Sequence, residues 1–135
     1  MNKLPILLSV PHGGDQIPIE LVSKSNLTQK DIFEDGDALT REIFNLKNEV
    51  AAYIDTSIAR AFIDLNRAPT DLPPANPDGV VKTITTMNVP VYKTGDFPVN
   101  NLIEKLLQKY HNPFHRQVDE LQKTHEIILS LDCHS

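Results

Sequence analysis

Two histidines stand just past the carboxyl ends of short apolar runs: His12 in Val10-Pro11-His12-Gly13-Gly14-Asp15, and His134 in Asp132-Cys133-His134-Ser135. Neutral imidazole is the commonest side-chain ligand for transition metals. Asp15 follows His12 by three residues, so a single turn can present a ring nitrogen and a carboxylate oxygen together. Two histidines and one carboxylate, with a fourth position open to water, make a catalytic zinc arrangement. One negative ligand leaves the ion electrophilic enough to acidify its water. Gly13 and Gly14 let the backbone pass close to such an ion. A lone loop histidine is more simply explained by a backbone hydrogen bond. Two placed alike, one of them in an H-x-x-D turn, favour a metal.

A second group sits in Arg60-Ala61-Phe62-Ile63-Asp64-Leu65-Asn66-Arg67. Here an apolar segment ends in an amide and a guanidinium, and arginine presents a planar fork that matches a substrate carboxylate. The competing reading is a structural salt bridge to Asp64 or Asp55, and spacing alone leaves the two level. His111 and His115 are four apart and share a helix face. A zincin helix needs Glu directly after its first His. Asn112 stands there, followed by Pro113, so packing or a supporting role is expected instead. Cys133 reads as a small buried thiol, and Asp35 and Asp37 as helix-start residues.

Ligands of open α/β sheets bind outside the carboxyl ends of the strands, so parallel strands must deliver these residues to one rim. Leu4–Val10 reads as a buried strand stopped by Pro11, Gly13 and Gly14. Ser23–Lys30 reads as loop and turn, and Asp37–Asn48 as a helix with Leu39, Ile43, Phe44 and Leu46 on its apolar side. Val50–Ile54 and Ala61–Leu65 read as strands. Ala68–Asp78, with Pro69, Pro73, Pro74 and Pro77, reads as an irregular loop. Val80–Met87 and Val89–Tyr92 form a hairpin or an extended excursion. Leu102, Ile103, Leu106, Leu107 and Tyr110 step at helical spacing, and Phe114, Val118 and Leu121 continue it past Pro113, which kinks or restarts the helix. Glu126–Asp132 is the last strand. The whole, residues 1–135, reads as a single α/β domain with a mostly parallel sheet flanked by helices. The last strand is expected to be central with one face bare. Such a surface calls for a missing part of the chain or for a partner, a second copy included.

Composition narrows the partners. A net charge of -5 without any Lys/Arg cluster argues against nucleic acid. One cysteine excludes an intramolecular disulfide and a Cys-rich zinc module. The longest apolar run is too short for a bilayer, so no membrane partner is expected. Leu4–Val10 behind Lys3 has the outline of a signal peptide, but Pro5 interrupts it and no A-x-A-like site follows. A cytoplasmic protein is expected.

Five segments together carry a resemblance: Ser9-Val10-Pro11-His12-Gly13-Gly14, Asp35-Gly36-Asp37, Ile63-Asp64-Leu65-Asn66-Arg67, Tyr110-His111-Asn112-Pro113-Phe114-His115 and Asp132-Cys133-His134-Ser135. In this order they resemble the N-formylglutamate amidohydrolase family, which is similar in fold to zinc carboxypeptidases and the aspartoacylase group. The resemblance implies a zinc-dependent amidohydrolase acting on a small N-formyl or N-acyl amino acid such as N-formylglutamate. It implies His12, Asp15 and His134 as Zn²⁺ ligands, although related hydrolases carry Glu where Asp15 stands. It implies Arg60, Asn66 and Arg67 as the clamp on a substrate carboxylate, with Arg60 the catalytic residue facing the oxyanion. Relatives continue past the D-x-H-S segment, and the glutamate general base of the wider group lies there. No residue here matches it. The chain is therefore expected to be the N-terminal part of a longer amidohydrolase, with little activity alone. The rival is an inactive binding or assembly module that keeps the fold.

Overall fold

The computed structural model describes residues 2–135. Its centre is strand β1, Leu4–Val10, which pairs in parallel with β2, Val50–Asp55, on one side and with β3, Leu129–Asp132, on the other. A central parallel strand is covered on both faces, which is why it reads as a nearly continuous apolar run. Leu8 and Val10 pack on one face with Val50, Cys133, Ile6, Phe44 and Tyr53. On the other face, Leu7, Ala52 and Ile54 meet Phe114, Val118, Leu121 and Ile127. The register of β1 against β2 shifts between Leu4 and Leu7. Pro5 lies in that gap and has no N–H to give to the ladder.

β3 is an edge strand, not the central strand expected, with Leu129 and Leu131 exposed. The strand expected at Ala61–Leu65 is absent. Phe62 and Ile63 both turn their N–H groups onto the Ala59 carbonyl, at 3.1 and 3.3 Å. These residues are nonetheless deeply buried. They join Leu21, Ile32, Val80, Val81, Val91, Ile103 and Leu106 in a core built mostly from irregular backbone beside the sheet. A short apolar run signals burial, and periodicity alone cannot say which backbone delivers it.

The first crossover holds a 3-10 turn at Ile19–Leu21 and two short α-helices where one long helix was expected. α1, Gln29–Asp35, starts at a capping box: Thr28 Oγ1 accepts the Asp31 N–H at 3.2 Å, and the Asp31 carboxylate accepts the Thr28 N–H at 2.8 Å. α2 covers only Thr40–Ile43, after Leu39 in a left-handed conformation. Asp35 thus ends a helix, and Asp37 lies between two of them; neither starts one. Residues 80–92 form a tight reversal, with Asn88 at φ 62° and only an isolated bridge between Ile84 and Pro90.

The long helical stretch is α3, Asn100–Leu106, a π turn over Leu107–His111, and α4, Asn112–Thr124. Pro113 explains the π turn. It has no N–H for the carbonyl four residues back, and its ring would strike that carbonyl, so the helix widens there and Asn112 donates to Leu107 O instead. No helix among the described residues is long and apolar enough to cross a membrane.

Candidate metal centre

β1 ends at Val10 and turns immediately, leaving His12 buried at the carboxyl rim of the sheet. The turn is pressed against its neighbours. A Cβ on Gly14 would lie 2.4 Å from the Ser57 carbonyl carbon and 2.5 Å from the Ile58 oxygen. Only glycine fits there. The His12 carbonyl accepts the Asp37 N–H at 3.0 Å, and Thr40 Oγ1 donates to the Asp37 carbonyl at 2.7 Å. These two bonds bring Asp37 beside His12. From the other side, Cys133 N–H donates to Ser9 O at 2.8 Å, extending the ladder so that the next residue, His134, arrives at the same rim. The His12 and His134 rings stand 4.8 Å apart.

His12, Asp37 and His134 each offer one ligand atom, and these atoms lie within 4.8 Å of one another. The decisive atom is His12 Nδ1. His12 Nε2 donates to Asp64 Oδ1 at 2.7 Å, which leaves Nδ1 with a bare lone pair. Nδ1 is buried, has no hydrogen-bond partner, and faces Asp37 Oδ2 at 3.5 Å. Two acceptors face each other with no donor between them, an arrangement that a cation would satisfy. Ligands held tetrahedrally at ~2.0–2.2 Å stand about 3.3–3.6 Å apart, which matches this spacing. His134 Nδ1 lies 2.8 Å from the same Asp37 oxygen, a hydrogen-bond distance, so this pair must part by about 0.5 Å to take up the ligand spacing. The donor set of two imidazoles and a carboxylate fits Zn²⁺ or a similar borderline ion.

Asp15, expected as the carboxylate ligand, is exposed and lines a separate groove with Gln16, Ile17, Val22 and Gln29. The reason is local. Gln16 N–H donates to Ser57 O, and Ala59 N–H donates to Gln16 O, so the chain leaves the turn pinned along residues 57–59. Asp15 is then turned to solvent. Asp37 occupies the place assigned to it.

Arg60, Asn66 and Arg67 line the same cavity of about 430 Å³ as His12, Asp37, Asp64 and His134. The salt-bridge reading of the arginines holds, because both pair with acids. Arg60 Nη2 lies 3.6 Å and Arg67 Nε 4.0 Å from Asp64 Oδ2, and Arg67 Nη2 donates to Asp78 at 3.0 Å. Asn66 Nδ2 lies 3.5 Å from His134 Nε2. Sequence reasoning named Asp64 only as a salt-bridge partner and missed Lys82. Asp64 is fully buried and joins His12 to the cations. Lys82, also fully buried, contacts Asp78 and lies 3.8 Å from Asp64. No pattern around Lys82 marks it; only burial reveals it. Burial alone would raise the Asp64 pKa, but the His12 Nε2–H bond, the Asn66 N–H and Arg60 outweigh it and hold the carboxyl below the usual range. Asp78 is held low in the same way: burial opposes its charge, and Lys82 and Arg67 more than compensate. Around the cavity itself Arg60 and Arg67 stand with Asp37 and Asp64, so the charged lining balances. His111 and His115 bind no part of the metal cluster. Burial pushes the Cys133 thiol up, with Asp132 adding to it, so this sulfur is no ready nucleophile.

The model of the N-formylglutamate amidohydrolase family matches residues 4–135. The chain belongs to this family. An N-formylglutamate deformylase of Pseudomonas putida is 24% identical over 141 residues, covering 99% of this chain and 52% of that protein. The solved N-formylglutamate amidohydrolase of Ralstonia eutropha JMP134 matches with a TM-score of 0.79 at 16% identity, over 100% of this chain and 55% of that one. That likeness establishes the α/β fold. The chain spans about half the length of the relatives it matches.

Proposed function

We propose that this chain carries the metal-binding and carboxylate-binding part of a zinc-dependent hydrolase that cleaves the linear amide of an N-formyl or N-acyl amino acid. One observation carries the reading. An acceptor-only pair, His12 Nδ1 and Asp37 Oδ2, shares a cavity with Arg60, Asn66 and Arg67. A site for a cation and a site for a carboxylate then lie side by side, as the substrate requires.

His12 Nδ1, Asp37 and His134 Nδ1 would hold the ion, which supplies Lewis acidity and a more acidic bound water. The chain's own residues do the rest. Asp64 accepts the His12 Nε2–H, fixes the tautomer and makes Nδ1 the better ligand. Arg67, with Asn66, binds the substrate carboxylate, and Asp78 orients the guanidinium. Arg60 has an unpartnered buried Nε and is placed to stabilise negative charge that develops on the amide oxygen.

A second reading, a binding module that does not turn over, has its own support. The carboxylates lining the cavity are Asp37 and Asp64, and both are engaged, so none among the described residues is free to act as general base. Formate release from N-formyl-L-glutamate by zinc-loaded protein, with metal content measured alongside, separates the readings. Turnover that disappears on chelation and returns with zinc supports the hydrolase. Stoichiometric zinc without turnover supports the module. Protein that takes up no zinc sinks both.

A further inference from the structure

The two remaining histidines of the helical stretch do something specific to the carboxylate clamp. His111 Nε2 lies 2.8 Å from the Arg67 carbonyl, and His115 Nε2 lies 2.7 Å from the Leu65 carbonyl. A carbonyl only accepts, so both rings donate from Nε2. The two bonds bracket Asn66. On its other side, Asn66 N–H donates to Asp64 Oδ1 at 2.9 Å, and Arg67 N–H donates to Asp64 O at 3.2 Å. The segment Leu65-Asn66-Arg67 belongs to no helix or strand. These four bonds are what fixes its backbone.

The helix is shaped for the task. The π turn ends at His111, and α4 carries His115 one turn further on the same face with the rings 4.5 Å apart, so both face one tripeptide. π turns inside α-helices gather at functional sites. Both rings also line the larger cavity of about 800 Å³, which shares Asn66 and Arg67 with the metal-side cavity. The two cavities meet at the residues these histidines hold.

We infer that His111 and His115 are positioning residues that set the geometry of Asn66 and Arg67 for the substrate carboxylate, acting through the backbone without touching substrate. The inference rests on the clamp assignment of the proposed function. His115 is exposed, so its replacement leaves the core intact. In zinc-loaded protein, His115→Phe raises KM for N-formyl-L-glutamate about tenfold, the scale of one lost hydrogen bond, with kcat within about twofold. For N-formylbutylamine, which has no carboxylate, kcat/KM stays within about twofold. His115→Gln keeps a donor that reaches the same carbonyl and restores KM to within about threefold. Equal losses on both substrates, or a glutamine variant no better than phenylalanine, would overturn the inference.

A readout independent of turnover separates this inference from the function it rests on. ¹⁵N relaxation of the Asn66 and Arg67 amides shows greater fast motion in His115→Phe, and wild-type order in His115→Gln. Unchanged order at both amides in the phenylalanine variant refutes the positioning role whether or not the protein hydrolyses anything. Rigid amides in the wild type without hydrolysis would refute only the hydrolase reading.

Discussion

Replacing Asp64 with asparagine probes the centre of the site. The new amide oxygen can keep two of the bonds made by Oδ1, from His12 Nε2 at 2.7 Å and from the Asn66 N–H at 2.9 Å. What disappears is charge. Oδ2 stands 3.6 Å from Arg60, 3.8 Å from Lys82 and 4.0 Å from Arg67. Each such contact is worth about 4 kcal/mol at an effective dielectric of 20, before the cost of desolvating both ions. Arg67 counts for little, because its side chain is 38% exposed and keeps Asp78. Lys82 is wholly buried but also keeps Asp78. Arg60, 15% exposed, pairs with no other carboxylate among the described residues. Breaking a buried pair costs about 3–5 kcal/mol, and with two of three cations still partnered the expected loss is about 3 kcal/mol. Urea unfolding at pH 7 measures it. Loss of the negative charge behind His12 Nε2 should also weaken zinc binding about 10–100-fold, read by chelator competition.

The pH dependence gives the same substitution an independent check. Folding holds the Asp64 carboxyl below its ordinary value of 3.8, so the unfolded chain binds the proton more readily. The stabilisation is therefore complete above that value and is lost as pH falls through the lower, folded one. The gap between wild type and Asp64→Asn should be constant near neutrality and close in acid below about pH 4. A stability change under about 1 kcal/mol with zinc affinity within about threefold would refute the account of Asp64 as the hub.

Three further substitutions bear on separate parts of the site. Asp37→Asn should reduce zinc affinity by at least about tenfold while exposed Asp15→Asn leaves it unchanged; elemental analysis and competition titration decide, and the reverse result would restore the H-x-x-D assignment. Arg67→Ala should raise KM for N-formyl-L-glutamate about 10–100-fold, the value of a hydrogen bond between charged groups, with little change in kcat. Gly14→Ala drives a Cβ to 2.4 Å from the Ser57 carbonyl carbon, where no flexible side chain can yield. It should cost about 2–3 kcal/mol in urea unfolding and release zinc as the His12 turn shifts.

The parts of the fold legible in the sequence are those where local pattern and tertiary environment agree. β1 and β2 were readable because parallel strands covered on both faces are apolar throughout and end at turn residues. The irregularity near Pro113 was readable because a missing N–H has a forced consequence, although the π turn it produces is not written in the periodicity. Ala61–Leu65 was misread as a strand because burial was mistaken for regular structure. Its apolar run is real, but the backbone bonds go to Ala59 and Val80 in turns. α1 was missed because its start signal, the Thr28 and Asp31 box, falls in a stretch whose polar residues suggested a loop.

The metal site divides along the same line. His12 and His134 could be found because strand ends are local features, and a parallel sheet brings such ends to one rim. The carboxylate that stands beside them could not be found by local spacing. The H-x-x-D pattern favoured Asp15 because it is near in sequence, whereas the bonds that choose Asp37 are tertiary: its N–H to the His12 carbonyl, and its carbonyl to Thr40 Oγ1. From the sequence Asp37 reads as a helix-start residue, a role that needs no partner at the rim. Asp64 and Lys82 illustrate the remaining gap. A buried charge is costly unless it is paired, so their burial demands a network. That demand becomes visible only once the fold shows both side chains sealed from water, beside the one histidine whose free lone pair faces a carboxylate.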